Sequence, residues 1–254
     1  MSRLLSRTIR PRTIGAAVAV AVAGLASGVG APAQAASMAA TSGATVSFTF
    51  DDGRANQLTN AVPALDAAGM KGTFFIISDA LTWGSSYLTA AQVKALADDG
   101  QEVGNHTKTH ADLTTLSASG VRTEFTKSQA KLTAAAGGVA PRTCAYPHGS
   151  ANSTVESVAA EFFRGCRSTD GGTNKPSTDR YRLRTFYVHT STSAAQIRAA
   201  VDKAAADKVW LILCYHGVGK INSSDDVSAD TFAAHVKAVK ASGVKVRTAS
   251  QALG

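Results

Sequence analysis

Cysteine is scarce: Cys144, Cys166 and Cys214 are the only three in 254 residues. An odd count allows at most one intrachain disulfide and leaves a thiol over. Cys144 and Cys166 flank a predicted strand–helix–strand unit and are the expected pair; free buried thiols are the alternative. Beyond the N-terminal segment no apolar run reaches spanning length, so no membrane anchor is expected in the mature chain. No stretch interleaves Lys and Arg with aromatics, which excludes a nucleic-acid footprint. Internal repeats, low-complexity segments and linkers are also missing, which leaves one domain.

The N-terminus does carry a pattern. Arg3, Arg7, Arg10 and Arg12 precede an uncharged Ala/Val/Gly/Leu run from Ile14 to about Val29, and Ala33-Gln34-Ala35 follows. A basic region, a short apolar region and a small-x-small site describe a secretory signal peptide over residues 1–36. No two arginines are adjacent, so general secretion is expected rather than the twin-arginine route. Without these four arginines, 22 basic residues face 18 acidic ones, a net of +4 instead of the +8 of the whole chain. An exported, mildly basic protein suits an extracellular or cell-wall setting. Residues 37–44 form a flexible lead-in, and residues 45–254 are long enough for one α/β barrel.

Strand and helix patterns alternate along that domain. Strands are expected at 46–50, 71–77, 101–104, 143–146, 163–168, 183–188, 209–215 and 244–247. Helices are expected at 58–68, 89–99, 117–136, 153–160, 193–206 and 229–241. This alternation predicts parallel pairing in a barrel or doubly wound sheet, with chemistry at the carboxyl ends of the strands.

The polar residues cluster at those ends. Val46-Ser47-Phe48-Thr49-Phe50 runs into Asp51-Asp52-Gly53, and two carboxylates in one pocket require a neutralising group or a cation. His106, His110, His148 and His216, four of the six histidines, also lie just beyond predicted strands. His106 and His110 are four residues apart, a spacing that one helical turn would bring to one side. With Asp52 they make a two-histidine, one-carboxylate set suited to Zn²⁺, Co²⁺ or another divalent transition metal. The cysteines are not spaced for a closed structural zinc.

Thr49-Phe50-Asp51-Asp52-Gly53 and His106-Thr107-Lys108-Thr109-His110 resemble the first two signature motifs of the polysaccharide deacetylase (NodB-homology) family of metal-dependent carbohydrate esterases. The resemblance covers about residues 45–250 and implies a distorted (β/α) barrel. It also implies that Asp51 is the general base and that Asp52, His106 and His110 are the metal ligands. Ala145-Tyr146-Pro147-His148-Gly149 aligns with an Arg-Pro-Pro-Tyr-Gly motif: Pro147 is kept, the backbone N–H of His148 would serve the oxyanion, and the arginine is lost. The usual Asp–Trp pair is missing too, and Arg167 and Asp170 occupy that region. Arg167 is expected to replace the lost arginine by pairing with Asp51 or Asp170. His216 would be the general acid, with Leu211 or Leu213 lining an acetyl-methyl pocket.

The implied activity is removal of acetyl groups from an N-acetylated polysaccharide or oligosaccharide of chitin, peptidoglycan or poly-N-acetylglucosamine type, by a monomer. An O-acetyl esterase acting on acetylxylan and a catalytically weak carbohydrate-binding member are the alternatives. Trp83 and Tyr87 form either a sugar-stacking platform or core packing. His189 and His235 are expected to have structural roles, and Cys214 to pack.

Overall fold

The computed structural model describes residues 43–254. The expected signal peptide, and the lead-in up to residue 42, lie outside the described residues. Seven parallel strands follow one another around a closed barrel: β1 (Thr45–Phe50), β2 (Thr73–Ile76), β3 (Glu102–Asn105), β4 (Thr143–Ala145), β5 (Gly165–Gly171), β6 (Leu183–Tyr187) and β7 (Trp210–Tyr215). β1 closes the ring between β7 and β2. One edge of β1 is shared. Thr49 and Phe50 pair with β2, while Thr45 and Val46 pair with a short eighth strand, β8 (Lys245–Val246).

Around the barrel run α1 (Val62–Ala67), α2 (Ala90–Asp98), α3 (Ala118–Ala135), α4 (Ser153–Ala159), α5 (Ala194–Asp207) and α6 (Ala229–Ser242). Their starts follow local rules. Thr89 and Ser193 form capping boxes with Gln92 and Gln196, and Ser117, Asn152 and Ser228 cap α3, α4 and α6. The single helix expected from residue 58 is instead a π-helical turn, Gln57–Ala61, followed by α1. Pro63 explains the break, because it lacks an N–H and its ring crowds the carbonyl four residues back. A short last helix, α7 (Ala249–Leu253), was not expected. Among the described residues no helix is long and apolar enough to cross a membrane.

Strand alternation sorts the side chains into two layers. Val46, Phe48 and Phe50 point outward into the main core with Leu65, Phe74, Tyr215 and Phe232. The rings of Phe50 and Phe74 stack at 4.6 Å, and Phe232 meets Phe48 edge-on at 6.0 Å. Phe75, Ala145, Leu183, Trp210 and Ile212 form an inner cluster with Ala249, Ala252 and Leu253 of α7. The Ala249 amide donates to the Thr73 hydroxyl and the Ser250 amide to Glu102, fixing this plug at the amino ends of the strands.

The same alternation corrects one expectation. Leu211 and Leu213 face outward into the helix-facing core, so neither lines a substrate pocket. Cys214 takes the inward place, with its thiol 3.6 Å from Asp51 Oδ2. Cys144 and Cys166, opposed in the β4–β5 register, form the disulfide, and Cys214 is free and buried.

Candidate metal centre

Asp51, the residue after β1, is buried at the carboxyl end of the barrel. Arg167 Nη2, from β5, donates to both of its carboxylate oxygens, the longer contact being 2.5 Å. Burial alone would raise the Asp51 pKa, but Arg167, then His106 and His216, bring it down to about 2. Asp51 is therefore ionised across the working range. Arg167 is almost fully buried, donates to the Ser168 carbonyl, and lies 5.3 Å from the Phe75 ring centroid. Burial opposes its charge, and the Asp51 carboxylate more than offsets that. Ala145, standing where the family motif has its arginine, is opposite Arg167 in the β4–β5 register.

Asp52 turns the other way. Its backbone is left-handed, φ 73°, and its Oδ1 lies 3.7 Å from both His106 Nε2 and His110 Nε2. Arg54 donates to the second oxygen, Oδ2, through Nε at 3.2 Å and Nη2 at 3.1 Å. His106 contacts the Ala145 carbonyl through Nδ1 at 2.8 Å, which assigns the proton to Nδ1 and leaves Nε2 as a lone-pair donor. Burial, then His106, push the His110 pKa down to about 4 against the pull of Asp52, which favours the neutral imidazole at His110. One ligand atom from each of the three residues lies within 4.8 Å of the others.

This donor set fits a divalent transition ion. Bonds of about 2.0–2.1 Å around a tetrahedral ion put ligand atoms about 3.3 Å apart, so the 3.7 Å contacts need to close by a few tenths of an ångström.

The histidine loop differs from the expected helical turn. Thr107 and His110 are left-handed, with φ of 67° and 64°, which a right-handed turn forbids. Other groups hold the loop. The Lys108 and Thr109 amides both donate to Glu124 Oε2 of α3 at 2.9 Å, and the Thr109 hydroxyl donates to Oε1. Ser128 of α3 donates to the Thr107 carbonyl. Glu124→Ala is expected to weaken metal affinity by about 10–100-fold while the fold persists, because it frees the loop between two ligands. Competition with a chelating dye measures this, and unchanged affinity would discount the brace.

His216 follows β7, with Nε2 3.9 Å from Asp51 Oδ2 and 3.4 Å from the Tyr187 hydroxyl. Its Nδ1 is buried without a hydrogen-bond partner. Gln57, also buried, donates from Nε2 to the Asp51 carbonyl at 2.5 Å and the His216 carbonyl at 2.9 Å. It ties together the two strand ends that carry a carboxylate and an imidazole. Sequence reasoning missed Gln57 and Glu124, which bind backbone atoms, Tyr187, which meets His216 from a neighbouring strand, and Arg54, which pairs with Asp52 two residues before it.

Pro147 is buried, and His148 follows it at φ 58° with its ring 4.6 Å from that of His110. Gly149 is obligatory, since a Cβ there would meet Thr169 Oγ1 at 2.0 Å. Asp170 does not join the site. It is on the exposed end of β5, beyond a register shift, and pairs with Arg182 at 3.1 Å. His235 is a buried core histidine held by Tyr215 and the Thr192 carbonyl. His189 is exposed and pairs with Asp225. Burial pushes the Cys214 thiol well above its usual pKa, which rules it out as a nucleophile at neutral pH.

Residues 39–162 match the family model described as Polysaccharide deacetylase. A chitin deacetylase from Pestalotiopsis sp is 36% identical over 95 residues, which are 37% of this chain and 31% of that protein. The match thus spans about a third of that relative's length. Among solved structures, the Xyl-CE4 domain of a multidomain xylanase from the hindgut metagenome of Trinervitermes trinervoides aligns with TM-score 0.60 at 20% identity, covering 82% of this chain and 88% of that one. A family 4 acetyl xylan esterase from Clostridium thermocellum, in complex with a cobalt ion, aligns with TM-score 0.60 at 22% identity, covering 82% and 89%. These two likenesses establish the shared fold.

Proposed function

Because residues 39–162 match the polysaccharide deacetylase family model, we propose that this chain is a metal-dependent hydrolase that removes acetyl groups from an N-acetylated polysaccharide or oligosaccharide. The observation that carries this reading is the division of labour between adjacent acids. Asp52 faces His106 and His110, while Asp51 is held apart, ionised, beside His216.

Asp52, His106 and His110 would hold Zn²⁺, Co²⁺ or a similar ion. When bound, the ion supplies Lewis acidity toward water and an acetyl carbonyl. Asp51, oriented by Arg167, takes the proton of the attacking water. The backbone N–H of His148 donates to the oxyanion. His216 delivers a proton to the departing amine from Nε2, the nitrogen turned toward Asp51. The basic, apolar and small-x-small run of residues 1–36 supports export to the cell wall or medium.

Acetate release from N-acetylglucosamine oligomers and from acetylxylan, with added zinc and after chelation, tests the proposal. Zinc-dependent release from the N-acetylated oligomers is expected. Release from acetylxylan alone would reassign the protein as an O-acetyl esterase. No release from either by zinc-loaded protein would overturn hydrolysis.

A further inference from the structure

Residues 78–88 connect β2 to α2 across the rim of the centre, and backbone bonds fasten them at both ends. The Ser78 and Asp79 amides donate to the Thr107 and Lys108 carbonyls at 3.0 Å, inside the histidine loop. Lys108 Nζ adds an ion pair to Asp79 at 2.7 Å. At the other end, Ala55 N–H donates to the Ser86 carbonyl and Leu88 N–H to the Gly53 carbonyl, directly after Asp52. Tyr87 also pairs through its backbone with Arg54, whose side chain holds Asp52.

Midway along this segment is Trp83, 49% exposed. Tyr87 meets it edge-on, ring centroids 5.3 Å apart at 89°, which fixes the indole plane and leaves indole surface open to solvent. An aromatic plane held beside two ligand loops matches the apolar C–H face of a pyranose, while the sugar hydroxyls keep their water. Resting on the deacetylase reading, we infer that Trp83, propped by Tyr87, is a stacking subsite for a sugar ring of the substrate chain away from the one that is deacetylated.

The sequence contains two tryptophans, and Trp210 is buried inside the barrel, so Trp83 is the solvent-facing reporter. Titrating metal-free wild-type protein with N-acetylglucosamine pentamer is expected to shift tryptophan emission saturably, and Trp83→Ala should abolish the shift. In the zinc-loaded enzyme, Trp83→Ala should raise KM for the pentamer about tenfold and leave hydrolysis of 4-nitrophenyl acetate unchanged. Trp83→Phe should recover most of the loss. Acetate release with equal pentamer KM in wild type and Trp83→Ala would overturn the subsite alone. An emission shift that Trp83→Ala abolishes, without any acetate release, would support the subsite and remove the deacetylase reading. Emission unmoved by N-acetylglucosamine or xylose pentamers would overturn the subsite.

Discussion

Alanine in place of Asp52, His106 or His110 is expected to strip the protein of stoichiometric zinc and to lower acetate release by more than about a hundredfold. The bound is conservative, because loss of groups that merely orient ligands already costs about 10–100-fold. The three donors come from two loops that do not touch in sequence, so removal of one leaves two in an otherwise intact barrel. Elemental analysis after dialysis reads the metal directly. His216→Asn is the control: it should lose turnover and keep zinc, since its Nε2 faces Asp51 and Tyr187 rather than the ligand set. Zinc retained at one per chain in the alanine variants would refute the assignment.

Arg167→Met should be nearly as severe, for a different reason. It leaves Asp51 buried without its cation, and breaking one side of a buried pair costs about 3–5 kcal/mol. Urea unfolding at pH 7 measures that cost. Turnover should fall by more than about tenfold, since Asp51 loses the group that orients it as a base. The pH dependence has a definite sign. The folded pKa of Asp51, about 2, lies below its ordinary value of 3.8, so its contribution is present above the ordinary value and fades as pH falls through about 2. In Arg167→Met the cation that holds this pKa down is gone, so that acid-side loss of stability should shrink. Ala145 faces Arg167 across the register. Adding Ala145→Arg to Arg167→Ala should therefore return part of the lost turnover; no recovery would mean that the guanidinium must arrive from β5.

Much of the fold was legible because alternating strand and helix patterns are local. The two acids after an apolar strand and the paired histidines marked the centre for the same reason. Phasing was harder. Trp210-Leu211-Ile212-Leu213-Cys214-Tyr215 is apolar on both faces, so nothing in it distinguishes inward Cys214 from outward Leu213. Asp170 was misplaced because a register shift carries the end of β5 out to Arg182. Glu124 and Gln57 act on backbone amides and carbonyls, which every residue has, and so leave no trace in residue types.

Five non-glycine residues among those described adopt left-handed backbone, and four of them, Asp52, Thr107, His110 and His148, surround the centre. Each costs about 1–2 kcal/mol relative to an ordinary conformation. Breeding this domain for heat tolerance would therefore reward relaxing these four positions first. A screen scored on melting temperature alone would erode hydrolysis before it touched the barrel, so any such campaign has to select on turnover as well.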